Sequence, residues 1–110
     1  MAETFKTKTK AGVTTEATVY TCPSSTSTIM IGGTIANKTT SGITCSVILQ
    51  SDTSDTETNA NVSIAHNTPI PAGSSIKPFA DNKQVLQATD VLRVSASGSA
   101  DVSFSILEIT

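Results

Sequence analysis

Apolar and polar residues alternate along this chain in short runs, as in Val102-Ser103-Phe104-Ser105-Ile106 near its end. A period of two is the pattern of a β-strand with one dry face and one wet face. The first such run covers residues 17–21, with Val19 and Thr21 on one face and Tyr20 on the other; Pro23-Ser24-Ser25 ends it, because proline donates no ladder hydrogen bond and serine suits turns. Residues 28–36 follow, with Ile29, Ile31, Gly33 and Ile35 on one side, and Gly32-Gly33 within the run predicts a bulge or a close backbone approach. Residues 43–50 place Ile43, Cys45, Val47 and Leu49 on one face, an alternation broken only by Ile48.

Further on, residues 61–66 form a short strand carrying Val62 and Ile64. Thr68-Pro69-Ile70-Pro71-Ala72-Gly73 reads as a turn in which Gly73 permits a positive φ. Residues 75–79 contain Pro78 and so predict an edge strand; residues 85–87 are a short piece. Residues 90–95 and 101–110 are the last two strands, joined through Ala96-Ser97-Gly98-Ser99-Ala100 as a hairpin. No segment has the period of an amphipathic helix. Seven to eight strands spaced by about 8–12 residues predict an all-β fold, an antiparallel β-sandwich or jelly-roll-like domain over residues 16–110. Residues 1–15 are polar apart from Phe5 and predict either an edge strand or an extended N-terminal arm that orders against a neighbour.

Composition adds two points. Nineteen Thr and fifteen Ser in 110 residues leave little with which to do chemistry. The apolar residues are mostly Val, Ile and Ala, with three Phe, one Tyr and no Trp, so the core is thin and burial between subunits would add to it. That is a first hint of a homo-oligomer.

A net charge of −2 with only seven Lys and Arg offers no basic patch for nucleic acid. Lys6, Lys8 and Lys10 alternate, so on a strand they project from one side, as a solvated face or as a tether to an acidic partner. The start Met1-Ala2-Glu3-Thr4-Phe5-Lys6 lacks the features of a secretion signal, and no stretch approaches the ~20 apolar residues of a membrane helix. Folding in a cytoplasm, with no membrane partner, is the expectation. There Cys22 and Cys45 stay reduced in the core, unless they face each other on adjacent strands and pair.

The candidate chemistry is sparse. His66, the single histidine, is expected at a strand end facing water. Asp52, Asp55 and Glu57 sit in a polar segment without glycine, a solvated tip rather than a calcium loop. Two sequons, Asn37-Lys38-Thr39 and Asn61-Val62-Ser63, arise by chance in a chain this rich in Thr and Ser. Arg93, the single arginine, is expected in an ion pair with Asp90 or Asp101. No catalytic residue, cofactor or metal site is assigned, and the chain is read as no enzyme.

Four segments taken together carry a resemblance. They are Val19-Tyr20-Thr21-Cys22-Pro23; residues 31–40, ending Ala36-Asn37-Lys38-Thr39-Thr40; Ile70-Pro71-Ala72-Gly73; and residues 88–96 with the terminal Phe104-Ser105-Ile106-Leu107-Glu108-Ile109. In order and spacing, from about residue 17 to the end, they resemble a group of small virion proteins of tailed bacteriophages, including those infecting marine cyanobacteria. Cys22 departs from that group, which usually carries Val or another apolar residue there, and this favours Cys22 as a small core residue. The resemblance implies a β-sandwich located in a virion, acting by self-association and by packing on other virion proteins of capsid, neck or tail, and it implies no catalytic residues. Phe5, Lys6, Lys8, Lys10 and Arg93 are the candidate contact residues. The alternative is a receptor- or glycan-binding module at a tail tip.

Overall fold

The structure, a computed structural model, describes residues 2–50, 61–79 and 83–110. Among the described residues nine strands run in chain order: β1 Glu3–Val13, β2 Ala17–Thr21, β3 Ser27–Asn37, β4 Ile43–Gln50, β5 Asn61–Ile70, β6 Ser75–Ile76, β7 Val85–Leu86, β8 Val91–Ala96 and β9 Ala100–Ile109. They form two antiparallel sheets. The larger has the order β1-β9-β3-β6, with β7 also on β3; the smaller has the order β2-β8-β4-β5. The fold is the expected all-β sandwich.

The two sheets face each other across the core. Met30, Ile35, Val102, Phe104 and Ile106 come from the larger sheet, and Tyr20, Cys45, Val47, Leu92 and Val94 from the smaller. Phe79, on the connection after β6, closes the core edge-to-face on Phe104, with ring centroids 5.3 Å apart.

The faces of β4 are as the alternation predicts: Cys45, Val47 and Leu49 lie opposite Ala96, Val94 and Leu92 of β8, and Ile48 lies on the outer face opposite Arg93. β3 differs. Thr28 and Met30 are buried before the bulge, and Ile35 and Asn37 after it. The bulge between Met30 and Gly32 adds one residue and exchanges the faces, so Ile29 and Ile31 point outward while Ile35 points inward. The close approach is present as well: a Cβ on Gly33 would lie 2.2 Å from Cδ1 of Phe104.

Three further expectations are corrected. Residues 96–100 are not a hairpin: β8 pairs with β2 and β4, whereas β9 pairs with β1 and β3, so this segment passes from one sheet to the other. β5 continues to Ile70, with Pro69 on its edge position opposite Thr44, and the turn comes later, where the Ser74 N–H donates to the Pro71 carbonyl (3.0 Å) and Gly73 takes φ +69°. His66 lies within β5 rather than at a strand end, and it is exposed. The acidic segment containing Asp52, Asp55 and Glu57 lies outside the described residues.

Candidate interaction surface

β1 is the edge of the larger sheet, antiparallel to β9. Residues directly opposite in such a pair share a face. Lys6, Lys8 and Lys10 stand opposite Ile106, Phe104 and Val102, so all three occupy the inner face of the edge strand. Lys6 Nζ binds Glu108 Oε1 at 2.8 Å, and Lys8 Nζ lies 5.8 Å from the Tyr20 ring centroid. Two of the three candidate contact lysines are thus engaged within the chain. Inward-pointing charge on an edge strand also discourages a further strand from adding there.

Glu108 belongs to a buried polar cluster that ties the two sheets together. Tyr20 Oη donates to Glu108 Oε2 at 2.5 Å and lies 2.8 Å from Thr28 Oγ1. Cys22 Sγ lies 3.3 Å from Thr28 Oγ1 and donates to the Thr26 carbonyl at 3.3 Å. Burial pushes the Tyr20 hydroxyl far above the phenol range, and burial raises the Cys22 and Cys45 thiols. The Lys6 ion pair, and after it the Tyr20 hydrogen bond, holds the Glu108 carboxyl below its usual value. At neutral pH the cluster is a carboxylate, an ammonium, a phenol and a thiol. A thiol with a raised pKa is a poor nucleophile, so the arrangement acts as a clamp.

Other polar side chains serve the fold in the same way. Asn37 Nδ2 donates to the Ser41, Ile70 and Pro71 carbonyls, and its Oδ1 accepts from the N–H and hydroxyl of Thr39. That first sequon is therefore sealed within the structure. Arg93 pairs with Glu16 at 3.2 Å rather than with Asp90 or Asp101; Asp101 instead pairs with Lys38 at 3.0 Å and accepts the Gly12 N–H. Arg93 and Glu16 meet because β8 lies beside β2, a neighbour relation that sequence distance hides. Cys22 and Cys45 are both free. Among the described residues no three His, Cys, Asp or Glu side chains gather as a metal set.

The outer face of the larger sheet is different in kind. Phe5 of β1 stands opposite Leu107 of β9, Leu107 opposite Ile29 of β3, and Ile29 opposite Val85 of β7. Four apolar side chains thus form one row across four strands on the side away from the core. Phe5 is 72% exposed and Val85 52%, and Ile31 adds to the row at 39%. Sequence reasoning selected Phe5 but missed the rest, since only the bulge in β3 turns Ile29 and Ile31 outward.

Along β9 this face is hollowed. Ser103 and Ser105 present small side chains between the taller residues of β1 and β3. One hollow of about 280 Å³ lies between Phe5 and Ile31 over Ser105, and a second of about 330 Å³ lies between Thr9 and Thr34 over Ser103.

No family model and no curated protein matches this chain. Solved structures do share its fold. A chain from the T13 viral particle of infectious bursal disease virus superposes with a TM-score of 0.58 at 11% identity, over 96% of this chain and 30% of that one. A chain from the Gx strain of the same virus gives 0.54 at 13% identity, over 97% and 33%. A chain from Bacillus endospore appendages, described as disulfide-linked pili, gives 0.52 at 11% identity, over 97% and 84%. This chain spans about a third of the viral chains it resembles. At these identities the likeness is one of fold: a two-sheet sandwich.

Proposed function

We propose that this protein is a non-enzymatic structural subunit of a tailed-bacteriophage virion, working by self-association and by packing on other virion proteins. The observation that carries this reading is the apolar row Phe5, Leu107, Ile29 and Val85 on the solvent side of a sheet. A contiguous exposed apolar patch marks a surface that another macromolecule covers. The sandwich shared with chains of a viral particle and of a pilus agrees with a part that works by shape. So does the use of ionisable groups as internal ties, in Lys6–Glu108, Lys38–Asp101 and Arg93–Glu16.

A glycan-binding module at a tail tip is less well supported. A sugar face calls for an aromatic platform, and of the four aromatic residues Tyr20, Phe79 and Phe104 are buried, leaving Phe5 alone. Mass spectrometry of purified particles tests the main reading. The chain is expected in fixed stoichiometry with the other virion proteins; its absence from particles, together with monomeric behaviour in solution, overturns the proposal.

A further inference from the structure

We propose that the outer face of the larger sheet is a homotypic interface, in which two copies pack face to face with strands reversed and the Phe5 of each enters the hollow beside Thr9 of the other. This deepens the assembly reading and rests on it.

The argument starts from relief. One half of the face carries a projecting aromatic, Phe5, at 72% exposure. The other half carries the hollow of about 330 Å³, lined by Thr9, Ala11, Thr34, Ala36 and Ser103, with Asp101 at its far end. A two-fold axis lying in the plane of contact and running across the strands exchanges the two halves. Knob and hollow then meet twice in one interface, as an isologous contact requires.

The relief also rejects the other two-fold. Glu3, opposite Ile109, lies at the Phe5 end of the face, whereas the Lys38–Asp101 pair lies at the far end. An axis along the strands would set Phe5 against the Ile29 and Ile31 ridge and Glu3 against Ser27, leaving the hollow empty. Between those ends the outward side chains of β9 and β3 are Ser, Thr, Ala, Leu and Ile, and an interface core is likewise depleted of charge.

The area is sufficient. Three strands of about ten residues at about 3.4 Å each and about 4.8 Å spacing, with the two-residue β6 and β7 beside them, give a face that removes roughly 1,200 Å² from two copies, above the roughly 1,000 Å² that a specific interface must clear.

Sedimentation equilibrium of the full chain tests this. The wild type is expected to dimerise, and Phe5→Asp to weaken dimerisation roughly thirtyfold or more, the loss expected of a central anchor. Thr34→Trp, which fills the hollow, is expected to weaken it as well. Both positions face outward, so thermal melts should match the wild type at concentrations low enough for all three to be monomeric. Mixing Phe5→Cys with Thr9→Cys should give a disulfide-linked heterodimer under mild oxidation. If Phe5→Asp still dimerises and enters particles at the wild-type level, or if Phe5→Cys links to itself rather than to Thr9→Cys, this interface is wrong while the assembly reading stands. If the wild type neither self-associates nor occurs in particles, that reading falls as well.

Discussion

Tyr20 and Glu108 stand 88 positions apart in sequence, yet the phenol of one donates to the carboxylate of the other at 2.5 Å. The bond joins β2 of the smaller sheet to β9 of the larger, and Lys6 of β1 completes it from the other carboxylate oxygen. Lys6, Glu108 and Thr28 of the inner clamp thus share β1, β9 and β3 with Phe5, Leu107 and Ile29 of the outer apolar row. Since partners opposite each other share a face, the lysine ladder turned inward is what leaves Phe5 turned outward.

The clamp should be measurable as stability. Tyr20→Phe keeps the ring and removes one hydrogen bond to a charged group, so urea denaturation should show a loss of about 1–3 kcal/mol. A variant as stable as the wild type would mean that the bond contributes nothing in water.

Stability should depend on pH in a defined direction. Glu108 and Asp101 have lowered pKa values in the folded chain, Glu108 chiefly through Lys6 and Asp101 chiefly through the Gly12 N–H. The unfolded chain therefore binds protons more readily at these sites. Their stabilisation is complete above about pH 4.5 and is lost as pH falls through the lowered folded values. Tyr20, Cys22 and Cys45 have raised values, so their contribution is complete below about pH 8.5 and is lost as pH climbs toward the raised ones. Urea midpoints should be flat between these limits. Glu108→Gln should flatten part of the acid limb; an acid limb identical to the wild type would contradict the assignment.

The two adjacent glycines of β3 should behave differently. Gly33→Ala drives a methyl into the Phe104 ring and should cost about 1–3 kcal/mol, because a full core does not yield freely. Gly32→Ala meets no atom within 4 Å and should change stability by under about 0.5 kcal/mol. Thermal melts of the pair decide it, and equal losses would place the bulge elsewhere.

The thiols should stay separate. The Cys22 N–H donates to the Asp90 carbonyl just before β8, whereas Cys45 lies opposite Ala96 at its end. Six residues at about 3.3 Å each hold the two about 20 Å apart, too far for a disulfide. A thiol reagent should react slowly with the native chain and rapidly with both cysteines in denaturant; a cross-linked native monomer would contradict the structure.

Elements with a strictly local cause could be read directly from residue order. The inner face of β4, the positive φ of Gly73 and the short β6 before Pro78 all follow from a period of two or from one residue's backbone freedom. The presence of a bulge at Gly32-Gly33 was equally legible, although its effect on Ile29 and Ile31 was not.

What lay beyond local order was partnership. Whether β8 turns back onto β9 or passes to the opposite sheet, whether Arg93 meets Glu16 or a nearer aspartate, and whether Phe5 stands on a bare strand or in an apolar row are questions of register between distant segments. Alternation states that a strand has two faces. Only pairing across the sheet assigns one face to the core and the other to water, since a one-residue shift exchanges them all.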